Sequence, residues 1–208
     1  MGLTVFVLFL YTTTAIVAVS FFKKYKLPYF KYFLGYVITV IVFEYIVQLA
    51  NFYGHATKGI YNIYTFFEYN LVALIYFKLT KETVSHKWIK YLMILFNIIY
   101  LFSFIFKRIQ DYTVLLGALI VCLFMVFYLK ELLKSDRIIS FEKSLPFWIT
   151  IAFLLYYLTS LPFYTWLYVI GIESKKDGIT LFKVQRIIII LTHFCFIAGL
   201  IWSSKEEN

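Results

Sequence analysis

The sequence predicts an all-α membrane protein: one domain over residues 1–208, a bundle of seven transmembrane helices with the amino terminus outside and the carboxyl terminus in the cytoplasm. Three observations predict it. Hydrophobic residues make up 62% of the chain and the mean hydropathy is +0.83, against roughly 45–50% apolar residues in an ordinary soluble domain. A soluble fold of 208 residues cannot bury that much apolar surface, so lipid must cover the excess. Second, apolar runs of about 20 residues, enough to cross roughly 30 Å of hydrocarbon, recur seven times. Third, Lys and Arg cluster between those runs and fall unequally on the two sides.

The first run covers 3–22. It has no basic segment before it and exceeds a signal-peptide core of about 7–15 residues, so it is expected to be a retained helix, closed by Lys23, Lys24 and Lys26. The second covers 28–50, with Pro28 at the first turn, where proline is tolerated. A polar connection through Asn51, Gly54, His55 and Lys58 leads to the third, 60–79. His86 and Lys87 precede the fourth, 88–106, and Lys107 and Arg108 precede the fifth, 112–133. The longest connection, with Lys134, Asp136, Arg137 and Lys143, leads to the sixth run, 145–170, which Pro162 is expected to interrupt. Glu173, Lys175 and Lys176 precede the seventh, 181–202, and the remaining six residues are too few for a domain.

Thirteen of the twenty Lys and Arg fall on the side of the first, third and fifth connections and the tail. The positive-inside rule places that side in the cytoplasm, which predicts a multi-pass protein of the inner (cytoplasmic) membrane. The formal net charge of +9 is therefore topogenic. It builds no continuous basic face and no nucleic-acid module, and no nucleic-acid partner is expected. Cys122 and Cys195 both stand in apolar runs, as small hydrophobes rather than a disulfide framework.

Ionisable groups inside spans are costly and informative, at roughly 2.5–3.5 kcal/mol each at a helix centre. In the second helix Glu44, Gln48 and Asn51 follow i, i+4, i+7 and share a stripe. In the third, Tyr61, Tyr64, Thr65 and Glu68 share a face, with Glu68 about 12 Å below the outer edge at 1.5 Å per residue. In the seventh, Arg186 and His193 stand one heptad apart with Gln185 beside them. The sixth contributes Tyr156, Tyr157, Tyr164 and Trp166. If helices two, three, six and seven adjoin, these groups line one polar, aromatic cavity in the outer half of the bundle. The expected ligand-binding residues are Glu44, Gln48, Asn51, Tyr61, Tyr64, Glu68, Tyr156, Tyr164, Arg186 and His193. Asn70 and Asn97 are expected to join helices by hydrogen bonds.

Several chemistries do not fit. A zinc site of the type in seven-helix membrane amidases needs several intramembrane histidines, and only His193 qualifies, so no metal is expected. Retinal needs a lysine in the middle of the last helix, whereas Lys183 lies at its edge. No HExxH, GxSxG or phosphate-binding glycine loop occurs, and no cofactor is expected.

The run Tyr61-Asn62-Ile63-Tyr64-Thr65-Phe66-Phe67-Glu68-Tyr69, with His193 to Trp202, resembles stretches in a loose group of small bacterial seven-helix membrane proteins without an established activity. That resemblance implies a place for Glu68 in the group's pattern. A second resemblance is to small-helix carotenoid cyclases, whose carboxylates donate protons; their motif sets a proline two residues before a glutamate, where this chain has Phe66. Three functions follow, in order of expectation. The first is a receptor-like or transport protein binding a small amphipathic or cationic molecule. The second is an intramembrane acid–base enzyme acting on a lipid or isoprenoid through Glu68, Glu44 and His193. The third is a subunit of a membrane complex, with a protein partner in the bilayer.

Overall fold

The computed structural model describes residues 2–25, 27–81, 83–106, 110–135, 141–171 and 174–204. Lys26, Lys107, Arg108, Asp136, Arg137, Glu173 and Lys205, used above to place connections and orientation, lie outside the described residues. The described residues form seven α-helices and no strand: α1 (Gly2–Ser20), α2 (Pro28–Phe52), α3 (Lys58–Leu79), α4 (Val84–Ile105), α5 (Gln110–Leu133), α6 (Leu145–Thr165) and α7 (Lys175–Trp202). Six are long and apolar enough to cross a membrane, and no more than 44% of any of their apolar stretches is buried in the bundle. More than half of each stretch is therefore not buried inside the bundle. The exception is α3, which carries Lys58, Glu68 and Lys78. Lys58 and Lys78 are exposed at its two ends, whereas from Glu68 to Phe77 none of its residues is exposed, so Glu68 is covered by neighbouring helices.

The helices pack as a ring in the order α1, α2, α3, α5, α6, α7, with α1 closing it against α7. Helix α4 stands outside, against α3 and α5. It buries Ser85, Ile89, Phe96, Tyr100 and Ser103, a helical stripe at spacings of three, four and seven. Across the middle of the ring the side chains of α2, α6 and α7 meet in a layer of edge-to-face rings, the arrangement aromatic quadrupoles favour. Ring centroids lie 4.9 Å apart for Tyr36 and Phe153, 5.3 Å for Phe153 and Phe196, and 5.2 Å for Phe33 and Phe196.

Helix ends differ from the sequence expectation where side chains satisfy backbone or polar groups that hydropathy ignores. Helix α1 stops at Ser20, two residues early, because the chain turns to cap α7: Lys24 Nζ donates to the Ser203 carbonyl at 2.6 Å and Tyr25 Oη to the same oxygen at 2.9 Å. At the end of α2, Gly54 takes φ 74°, with His55 N–H bonded to the Ala50 carbonyl at 2.8 Å. This left-handed stop favours glycine. Helix α4 starts four residues early and takes in His86, which hydropathy leaves in a connection. Its polar first turn is partnered: Ser85 Oγ donates to Glu131 Oε1 at 2.5 Å, and His86 Nδ1 lies 3.0 Å from the Phe77 carbonyl.

Helix α7 starts six residues early. Ser174 accepts the Asp177 N–H at 3.1 Å and its hydroxyl donates to Asp177 Oδ2 at 2.6 Å, a reciprocal N-terminal cap. Lys183 is thus two turns inside the helix rather than at its edge, but it is exposed. Helix α6 is not interrupted at Pro162. The backbone stays α-helical to Thr165 and then widens into a π turn, Trp166–Ile170, closed by the Gly171 N–H on the Trp166 carbonyl at 2.9 Å. Pro162 faces outward, where its ring meets no packed helix.

Asn70 and Asn97 join α3 to α4 as a reciprocal amide pair, with N–O distances of 3.0 and 2.8 Å. Each amide also donates to a carbonyl one turn back in its own helix. A double-mutant cycle with Asn70→Leu and Asn97→Leu should give a coupling of about 0.6 kcal/mol, and no more than about 1.7 kcal/mol. Unfolding by steric trapping in bicelles measures it; a coupling near zero removes the pair as the α3–α4 fastening.

Candidate functional site

At the end of the ring that carries the α2–α3 and α6–α7 connections lies a cavity of about 560 Å³. Its walls come from α1, α2, α3, α6 and α7, with Val114 of α5. All ten expected ligand-binding residues line it, whereas Tyr157 and Trp166, also expected there from α6, are not among the lining residues. Asn51 and Tyr61 are at the rim, and Tyr61 is 40% exposed. Glu44, Gln48 and Arg186 are half-buried below them, with Tyr64, Tyr156 and Tyr164. Glu68 and His193 are deepest, 4% and 3% exposed.

The helix rises set the vertical scale. Seven residues separate Tyr61 from Glu68, and seven separate Arg186 from His193, so each wall drops about 10 Å from rim level to floor. The floor rests on the ring layer, since His193 meets Phe196 edge-on at 5.6 Å.

Glu68 accepts a hydrogen bond from Tyr157 Oη at 2.8 Å. Among the described residues, the charged group within its electrostatic reach is another carboxylate, Glu44. Arg186 acts instead on Glu44 and Tyr61. The deepest acid in the cavity thus has the hydroxyls of Tyr157 and Tyr64 as donors and, among the described residues, no cation beside it. Tyr36, Tyr64, Tyr156 and Tyr164 surround it on the cavity wall, the last two with hydroxyls 3.5 Å apart.

His193 is held by α1, which the sequence reading left out of the site. Its Nδ1 lies 2.9 Å from Thr14 Oγ1, and Tyr11 packs edge-on against the imidazole at 4.7 Å. Thr14 spends its one hydroxyl proton on the Leu10 carbonyl at 2.9 Å, so the proton of the His193 contact belongs on Nδ1. That assignment from the network makes Nε2 an acceptor. A second acceptor comes from Gln185, 7% exposed and also on the wall. Its Nε2 donates to Ser160 Oγ at 2.7 Å, while its Oε1 has no hydrogen-bond partner among the described residues.

The residues that sequence reasoning missed are Tyr11 and Thr14 of α1, Tyr36, Tyr168 and the role of Gln185. The available signal was polarity in the first helix: Tyr11 and Thr14 stand three apart, on one face. In an isolated sequence that spacing carries no charge to draw notice. Tyr36 and Tyr168 are two of nineteen tyrosines and have no distinguishing context.

No protein family, curated protein or solved structure matches the chain. The functional reading therefore rests on the cavity alone.

Proposed function

We propose that the chain spans the cytoplasmic membrane seven times, with the cavity facing outward, and that the cavity binds a small amphipathic cation in a receptor-like role. Supporting the topology, Trp88 and Trp202 are exposed at one end of the bundle and Trp166 at the other, as interfacial anchors are. Helix α3 completes the crossing with its one acid, Glu68, covered by protein and its lysines exposed at the two ends.

The observation that carries the ligand reading is Glu68. A carboxylate taken out of water needs a partner, and a buried charge without one is strongly unfavourable. The hydroxyls of Tyr157 and Tyr64 supply hydrogen bonds but no charge, and tyrosine faces attract cations. A ligand ammonium supplies the missing charge and up to three donors, which suits the acceptor oxygens of Glu68. The remaining wall is largely aromatic and aliphatic, suited to an apolar tail.

Binding is favoured over acid–base chemistry because Glu68 and His193 direct their hydrogen bonds to Tyr157 and Thr14, not to each other. Sensing is favoured over transport because the layer of Tyr36, Phe153 and Phe196 lies beneath the floor, and a carrier would have to part it in every cycle.

Native mass spectrometry of the protein in nanodiscs, incubated with n-hexylamine or with n-hexanol, tests the reading. The amine should be retained and the alcohol of equal length lost. Equal retention of both would mean that the cavity sorts by apolar surface alone, and the cation reading fails. In proteoliposomes, labelled hexylamine should equilibrate no faster than in protein-free vesicles; protein-dependent counterflow would make the chain a carrier.

A further inference from the structure

Helix α4 stands outside the ring and buries a single stripe, which includes Ile89, Phe96 and Tyr100. On its opposite face Lys87, Tyr91, Ile94, Ile98, Leu101 and Ile105 are all exposed. Their alternating spacing of four and three residues sets them in one line along the helix. A lysine heads that line and apolar side chains continue it. Trp88 and Lys90, both exposed, stand within one turn of the head. From Lys87 to Ile98 the line runs about 16 Å at 1.5 Å per residue, close to half of a roughly 30 Å hydrocarbon core.

The end of α3 adds to the head. His86 packs on the Phe77 ring with centroids 3.9 Å apart, and Lys78 Nζ lies 5.9 Å from the centre of the same ring. A third exposed ammonium thus joins the α3–α4 junction. From residue 78 to 90 the sequence holds four lysines against one glutamate, Glu82, which lies outside the described residues. Among the described residues Lys78, Lys87 and Lys90 form no ion pair. Glu131 of α5 accepts the Ser85 hydroxyl, on the buried side of α4.

From this arrangement we propose that the outer face of α4 is a site for one anionic phospholipid, with its phosphate between Lys87 and Lys90 and an acyl chain along Tyr91, Ile94 and Ile98. The proposal rests on the membrane-spanning reading and is independent of what the cavity binds. Lysines at the headgroup level attract anionic lipids, and an exposed tryptophan there is an interfacial anchor. A choline headgroup carries its own cation and gains less from the lysines. A free phosphate lacks the chain that the apolar line would cover.

Native mass spectrometry of the detergent-extracted protein, titrated with phosphatidylglycerol or with phosphatidylcholine of the same acyl chains, tests the site. The first phosphatidylglycerol should bind about tenfold more tightly than the first phosphatidylcholine. Lys87→Gln combined with Lys90→Gln should erase that preference. Lys23→Gln combined with Lys143→Gln removes two exposed lysines from other connections at the same end of the bundle and should leave it intact. Equal loss in both double variants would mean that the attraction is spread over the whole basic end. Equal binding of the two lipids by wild type would mean that the lysines select no headgroup. Either result overturns the site. Glycerol 1-phosphate at the same concentration should not displace the lipid; displacement would make the junction a phosphate site and refute the acyl track.

Discussion

Glu68→Gln should abolish amine binding and, in the same protein, raise the stability of the unliganded fold. The substitution keeps size and shape, and the amide oxygen can still accept the Tyr157 hydroxyl at its 2.8 Å separation. What it removes is the acid. Losing one partner of a buried, hydrogen-bonded charge pair costs about 2–5 kcal/mol in binding, so affinity for n-hexylamine should fall by about a hundredfold or more. The opposite sign on stability follows from the empty cavity. Without a ligand, Glu68 is buried beside a second carboxylate and, among the described residues, no cation, and an intramembrane acid is costly by about 2.5–3.5 kcal/mol on insertion scales. Replacing it by a neutral amide should recover part of that, about 1–2 kcal/mol. Thermal unfolding in nanodiscs with and without hexylamine reads both effects. Wild type should gain stability with the amine, and Glu68→Gln should start higher and gain nothing. A variant that is less stable when empty and still responds to the amine would make Glu68 a packing residue. That pattern defeats the cation site.

A gain in stability with a loss of binding is the behaviour of a residue kept for function, because natural sequences otherwise shed buried groups that cost stability. Tyr157→Phe gives the control in the other direction. It removes the hydroxyl donor and leaves the Glu68 oxygen short of a partner, so it should lower both stability and amine affinity. A donor to a charged group contributes about 1.5–3 kcal/mol.

The parts of the fold legible in the sequence are those that hydropathy and spacing control. Lipid demands long apolar helices, and seven runs were read from length and composition; among the described residues six helices are long and apolar enough to cross, and α3, whose stretch from Glu68 to Phe77 is covered, is the seventh. The boundaries of α1, α4 and α7 were not legible, because Lys24, Ser85, His86 and Ser174 are polar residues whose partners stand on other elements or in a local cap. The gathering of ten residues around one cavity was legible for a simple reason. Stripes on α2, α3 and α7 at equal depth have few other surfaces to face when the outer faces must be apolar. What spacing could not supply was neighbourhood. Helix α1 inserts between α2 and α7, so Thr14 rather than a glutamate holds His193, and nothing in the linear order of apolar runs distinguishes that packing from its alternatives.

Gly199→Ala should be among the most damaging single-methyl additions in the chain, although its position reads as an ordinary small residue near the end of an apolar run. A Cβ at Gly199 falls 2.4 Å from the Cβ of Trp148 and 3.0 Å from its Cγ. The first of those atoms is fixed to the α6 backbone and cannot swing away, so α6 and α7 must separate for the methyl to fit. These two helices carry Tyr157, Ser160, Gln185 and His193, and their separation loosens the cavity as well as the fold. Small residues serve this purpose in membrane helices, where close backbone approach replaces the hydrophobic drive that lipid removes. Overpacking of this kind costs about 1–3 kcal/mol. Gly117 is tight for a different reason: its Cβ would fall 2.4–2.8 Å from ring atoms of Tyr69, whose hydroxyl is tied to the Val114 carbonyl at 2.8 Å, so the ring can tilt only by giving up that bond. Gly59, with nothing within 4 Å of its added Cβ, supplies the opposite sign, since alanine is a better helix former by up to about 1 kcal/mol. Unfolding of the three alanine variants in bicelles should therefore place Gly59→Ala at or above wild type and Gly117→Ala and Gly199→Ala below it. Equal stability of Gly199→Ala and wild type would mean that the α6–α7 contact is looser than the 2.4 Å approach requires. In that case the wall holding Gln185 and His193 is free to shift against α6.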